Sequence, residues 1–193
     1  NGSTAVYTDA VFRDVSAWYH LVLAVDTTQA SASNRVKIYV NGVQQTLSGT
    51  QPSQNADTGF NNNIAHYIGS QGNSSSNAFN GYLAEVNFVD GQQLAATAFG
   101  EYDDNNSWQP KDTRTDLTFG TNGFRLDFSD NSSTSALGND AAGSNNWTAN
   151  NFSVASGEGN DSLLDTPMNY EADSGNNGGN YCVWNPLSSN GGV

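Results

Sequence analysis

Positive charge is the scarcest commodity in this sequence. Six Lys and Arg stand against 19 Asp and Glu in 193 residues, a formal charge of −13. Such a chain repels phosphate backbones and anionic lipid surfaces over long range, so neither nucleic-acid binding nor membrane adhesion is expected. The one cysteine, Cys182, excludes an internal disulfide. The longest aliphatic run, Leu21 to Val25, is far short of a membrane helix. Two histidines and one cysteine also fall short of a zinc-ligand set. Charged residues of both signs make up only 13%, about half the usual share. Asn, Ser, Thr and Gly fill the gap, giving a polar but weakly charged surface. The chain begins without an initiator Met, a basic leader or an apolar leader core, which reads as a processed chain or a piece of a longer one.

Strand signals are abundant, and helical periodicity is nearly absent. Residues 17–26 (AWYHLVLAVD) read as a strand covered by neighbours, because its apolar run is almost continuous. In 35–46 (RVKIYVNGVQQT), Val36, Ile38 and Val40 alternate with Arg35, Lys37 and Tyr39. Asn41-Gly42 then supplies the pair that a type I′ hairpin turn demands. Further strands are expected at 66–69 and 81–89, a short helix at 93–99, and two strand pieces flanking Thr121-Asn122-Gly123. The polar stretch 103–116 with Pro110 marks a boundary, dividing the chain into 1–102 and 103–193. After residue 130, isolated aromatics in an Asn/Ser/Gly background suit an extended arm. Its expected assembly anchors are Trp147, Phe152, Tyr170, Tyr181 and Trp184.

The order of motifs adds a family likeness. The segment Trp18-Tyr19-His20-Leu21-Val22-Leu23 resembles the tryptophan-led strand of LamG-like, concanavalin A-like jelly rolls. The hairpin from Lys37 to Val43, His66-Tyr67-Ile68-Gly69-Ser70, and Phe79 to Val86 follow in that family's order. The resemblance implies an all-β jelly-roll β-sandwich over 1–102, followed by a Gly/Asn-rich region with few strands and a long arm. The family's opening strands would precede Trp18, where this chain has little: the domain is truncated, or neighbouring copies complete its sheets, or 124–147, which resembles the opening strand, supplies the missing part. Phe99-Gly100-Glu101-Tyr102, 120–128, Ala136-Leu137-Gly138, Asn146-Trp147-Thr148, Asn160-Asp161-Ser162 and Asp165-Thr166-Pro167 are similar to segments of large virion proteins of tailed phages, marine ones especially. That likeness implies a non-enzymatic structural protein on the virion surface, a tail fibre or a capsid decoration. Its implied partners are other virion proteins, copies of itself and host-surface glycans. The alternative is a calcium-assisted lectin domain of an extracellular protein.

Candidate sites follow from residue chemistry. An aromatic platform beside amides binds sugar, which singles out Phe60, Asn61, Asn62, Tyr67 and Trp108. Loop carboxylates are calcium ligands, which singles out Asp103, Asp104, Asp127 and Asp130, with Asp57 and Asp140 as further members of the pool. No other cofactor is expected. Glu85-x-Asn87-x-x-Asp90 is near the E-x-D-x-x-E strand of jelly-roll glucanases. A retaining glycosidase, however, needs two carboxyls about 5 Å apart, and Asn87 and the turn residue Asp90 depart from that pattern. No catalytic residue is assigned. His20 and His66 lie beside aromatics without a G-x-S-x-G nucleophile elbow, and read as strand histidines bonded to neighbours.

Overall fold

A computed structural model describes residues 5–72, 77–155 and 160–162. Among them are nine short strands and no α-helix. The strands are β1 (Val6–Thr8), β2 (Leu21–Val25), β3 (Val36–Val40), β4 (Val43–Gln44), β5 (Leu47–Gly49), β6 (Val86–Phe88), β7 (Gly100–Tyr102), β8 (Trp108–Pro110) and β9 (Phe124–Leu126). They form four small sheets, β1-β5, β2-β3-β4, β6-β9 and β7-β8, and every pairing is antiparallel. The architecture is therefore all-β, as the patterning implies.

The central sheet is the one the sequence marks most clearly. β2 and β3 pair from Leu21↔Val40 to Val25↔Val36. Asn41 (φ 47°) and Gly42 (φ 80°) make the expected turn. Both residues occupy the left-handed region that a type I′ turn requires and that Asn and Gly tolerate best. Val22 and Ala24 are buried on one face of this sheet, and Val40, opposite Leu21, is buried on the other.

A second buried group comes from the other half of the chain. β9 pairs with β6 in the register Val86↔Leu126, Asn87↔Arg125, Phe88↔Phe124, and Phe124, Leu126 and Leu137 are buried. Phe124 is packed between Phe88 (centroids 5.6 Å) and Trp147 (4.9 Å). The segment 124–147 thus lends a strand to the segment that carries the family motifs. The division at 102/103 falls between the paired strands of a hairpin, since β7 and β8 are in register from Gly100↔Pro110 to Tyr102↔Trp108.

Several expected elements take other forms. The strand at 66–69 is absent, and an isolated bridge joins Ser70 to Ala78 instead. The strand expected over 81–89 shortens to β6, because Glu85 is left-handed (φ 52°) and breaks the extended run. The helix at 93–99 contracts to a 3-10 turn, Ala96–Ala98. Of the two pieces flanking Thr121-Asn122-Gly123 only β9 forms. It stops before Phe128, which is also left-handed (φ 55°). β2 is not covered on both faces: Leu21 and Leu23 are exposed. Tyr170, Tyr181 and Trp184 lie outside the described residues.

Candidate functional site

An open groove of about 1920 Å³ is bounded by β2, by the stretch leading into β6, and by Phe60 and Asn61. Small-ligand pockets run to roughly 300–1,000 Å³, so this one has room for an extended ligand. Aromatic rings enter it from opposite sides. Trp18 precedes β2 and Tyr82 precedes β6; both are about half exposed, with ring centroids 6.4 Å apart. Beside them Asn61 Nδ2 donates to Asp90 Oδ1 (2.7 Å), and Asp90 Oδ2 accepts from the Asn122 backbone (3.2 Å). These bonds fix an amide and a carboxylate at the groove, with Asn61 Oδ1 bonded to no donor among the described residues. Rings for stacking beside oriented polar groups are what sugar recognition needs, because a pyranose has apolar faces and an equatorial belt of hydroxyls.

The sequence-derived sugar set is partly brought together. Phe60, Asn61 and Trp108 line the groove, whereas Asn62 and Tyr67 do not. Asn62 Nδ2 donates to Thr58 O (3.0 Å) and its carbonyl contacts His66 Nε2 (3.0 Å), so its groups serve its own loop. Trp108 is fastened at the groove wall: its Nε1 donates to His20 Nδ1 at 3.1 Å. Tyr102 meets its ring edge-on at 5.0 Å. The indole lies over Gly42 and Gly100, at each of which an added Cβ would collide with it. Its ring and N–H are thereby committed to joining the β7–β8 hairpin to the β3–β4 turn. Burial lowers the His20 pKa, consistent with a neutral imidazole accepting at Nδ1. Trp18 and Tyr82 were not in the sugar set; alternation in 81–89 disguised Tyr82 as a strand residue.

The carboxylates at the groove are tied to internal partners. Arg125, 3% exposed, donates from Nη2 and Nε to the two oxygens of Glu85 at 2.8 and 2.9 Å, and from Nη1 to Asp127 Oδ2 at 3.4 Å. This fork needs the β6–β9 pairing, and β9 comes from the second half of the chain. Asn87 Oδ1 accepts from the fully buried Thr113 hydroxyl (3.2 Å). Glu85 and Asn87 are thus bonded to internal partners, and a guanidinium pairs with the one carboxylate that the glucanase pattern would place as nucleophile.

Three of the four calcium candidates accept local hydrogen bonds. Asp103 Oδ1 accepts the Asn105 and Ser107 backbone N–H groups (2.9 and 2.7 Å). Asp127 Oδ1 accepts from Ser129 (3.1 and 3.0 Å), and Asp130 Oδ1 from Ser132 (3.0 and 2.6 Å). Asp104 is the immediate neighbour of Asp103. Among the described residues no three of His, Cys, Asp and Glu gather as a metal-holding group. Asp140 is a structural acceptor. Burial pushes its pKa up, but backbone N–H donors from Arg125, Ala142, Asn145 and Gly143 outweigh that and hold it below the ordinary carboxylate value. Of the arm anchors, Trp147 packs on Phe124 within this chain, and Phe152 is exposed at the groove.

Residues 1–97, just over half of the chain, match the laminin-G-type family described as the concanavalin A-like lectin/glucanases superfamily. The chain belongs to that superfamily. No curated protein and no solved structure matches it.

Proposed function

We propose that this chain is a non-enzymatic structural protein of a virus particle, a tail fibre or capsid decoration, whose concanavalin A-like domain holds host-surface glycans in the groove beside β2. The observation that carries the binding reading is the pairing of Trp18, Tyr82 and Phe60 with the fixed Asn61–Asp90 pair in one open groove. The superfamily holds both lectins and glucanases, and the Glu85–Arg125 fork favours the former for this chain. A carboxylate clamped by two charge-assisted bonds is a poor nucleophile and a poor proton donor. The virion setting rests on the likeness of 99–167 to tailed-phage structural segments. It fits a weakly charged polar surface on an assembly of many copies.

Affinity electrophoresis through gels containing bacterial surface polysaccharides tests the binding reading. Retardation by one polysaccharide, lost in Tyr82→Ala and Asn61→Ala and retained in Glu85→Gln, is the expected result. Sugar release that disappears in Glu85→Gln would replace it with a glucanase. Retardation abolished by a chelator would favour the calcium-assisted lectin. The virion setting is tested by counting copies in purified particles by quantitative mass spectrometry: hundreds indicate a decoration, a few dozen or fewer a fibre, and none refutes it.

A further inference from the structure

β2 is apolar on both faces: Val22 and Ala24 are buried, while Leu21 and Leu23 remain 66% and 49% exposed. A strand of that composition belongs inside a sheet covered on both sides. Yet β2 is an edge strand, paired with β3 alone among the described residues.

The phase of the ladder shows which backbone groups are left over. Asn41 N donates to His20 O (2.9 Å) and Asp26 N to Arg35 O (2.8 Å), so the hydrogen-bonded positions of this strand are His20, Val22, Ala24 and Asp26. Alternate residues of an antiparallel pair turn their N–H and C=O to opposite edges. Leu21, Leu23 and Val25 therefore direct theirs away from β3, and no described backbone group takes them. This edge, with its two exposed leucines, runs along the groove. An unpaired apolar edge is a template for one more strand.

We propose that residues 163–193 of this chain supply that strand, with Tyr181-Cys182-Val183-Trp184 pairing along the outer edge of β2. Asn160 and Asp161 line the same groove, so the segment that follows starts at its rim. The 18 residues from 163 to 180 can span up to about 60 Å, ample for any path to β2. Tyr181 to Trp184 is the longest β-prone apolar run in that segment and is closed by Asn185-Pro186, a strand stop. Its four residues match the five of β2. Apolar residues at both alternating sets suit a strand that would be covered on both faces. From Asn180 to Val193 there is no charged residue, so no charge would be stranded against Leu21 and Leu23. A second copy is a weaker occupant, because like charges of −13 repel, whereas a tethered segment arrives at an effective concentration in the millimolar range.

Cys182, the sole cysteine, makes the pairing directly readable in the full chain. Leu21→Cys and Leu23→Cys are made separately, with Val43→Cys on the opposite edge of the same sheet as the comparison. After mild oxidation, one of the first two is expected to form an intramolecular bridge to Cys182 in most molecules, seen by peptide mapping, and the third little or none. In a Cys182→Ser background, maleimide labelling of Leu23→Cys is expected to be at least tenfold slower than that of Val43→Cys. The added pair Tyr181→Ser and Trp184→Ser should restore its rate. Covalent dimers in place of the internal bridge would assign the edge to a second copy. Absence of any bridge, together with labelling as fast as at Val43→Cys, would show the edge open and overturn the proposal. Both readouts follow the segment itself, so they are independent of whether a glycan binds.

Discussion

Replacing Arg125 with Met keeps the aliphatic stem but removes the guanidinium that joins the two halves of the chain. Arg125 is 3% exposed, and the side chains of Glu85 and Asp127 are 10% and 22% exposed. Removing one partner of such a pair strands a poorly solvated carboxylate, which costs about 3–5 kcal/mol. Glu85→Gln keeps the shape and one acceptor while discarding the charge, at about 1–2 kcal/mol. The double variant removes the Glu85 charge together with the guanidinium and leaves only the more exposed Asp127 without it, so its cost should fall short of the sum by about 1–3 kcal/mol. With a urea m-value of about 2 kcal/mol/M, Arg125→Met should lower the unfolding midpoint by about 2 M. Acidification gives an internal check. Protonation of carboxylates at low pH removes the negative charge that Arg125 offsets, so the penalty in Arg125→Met disappears as pH falls. The deficit relative to wild type should then shrink toward pH 4. Additive costs in the double variant, or a midpoint shift under about 0.5 M for Arg125→Met, would refute the role assigned to the fork.

Other outcomes follow from the same geometry. Trp108→Phe removes the donor to His20 and should cost about 1 kcal/mol, against about 3–5 kcal/mol for Trp108→Ala, both read by urea titration. The folded pKa of His20 is lowered, so its stabilising effect is full above the unfolded value of about 6.5 and declines as pH falls below it. His20→Gln should remove that part of the pH dependence of thermal unfolding. Asp140 has a depressed folded pKa, so its contribution is present above the unfolded value near 4 and is lost as pH falls through the folded one. Asp140→Asn should flatten the acid limb of the same curve and lower stability at pH 7. Gly42→Ala meets both a left-handed φ and the Trp108 ring, and should cost about 2 kcal/mol or more by urea titration.

What the sequence made legible was whatever is local. The β3–β4 hairpin is encoded within 12 residues by alternation and an Asn-Gly turn, and it forms in the expected register. β2 is encoded by its aliphatic run. The β7–β8 hairpin was hidden because its turn, Asp103 to Ser107, has the composition of a linker. Its order comes from an Asp103 carboxylate capping two backbone N–H groups. The β6–β9 pairing spans almost 40 residues, beyond any periodicity, and the likeness of 124–147 to an opening strand left it only one of three ways to complete the sheets. Glu85 gave no local sign that a distant arginine would claim it. The sugar-site residues divided for the same reason: Asn61, with Phe60 beside it, is reached through a loop–turn contact to Asp90, while Asn62 is held by bonds inside its own loop and Tyr67 lies away from the groove.

The order in which the chain is made gives the β6–β9 pairing a consequence in time. Local hairpins such as β3–β4 close within microseconds and need nothing downstream. β6, by contrast, gains its partner among the described strands only when Phe124 to Leu126 have left the ribosome. At roughly 5–20 residues per second, the segment carrying the superfamily motifs waits a few seconds for Arg125 to reach Glu85 and for Phe124 to cover Phe88. Arg125 acts as the last piece set into a frame otherwise assembled, and a ribosome stalled shortly after residue 100 would hold an open domain that sheds its nascent chain to proteases. Any expression boundary drawn at the end of the family match recreates that unfinished state permanently.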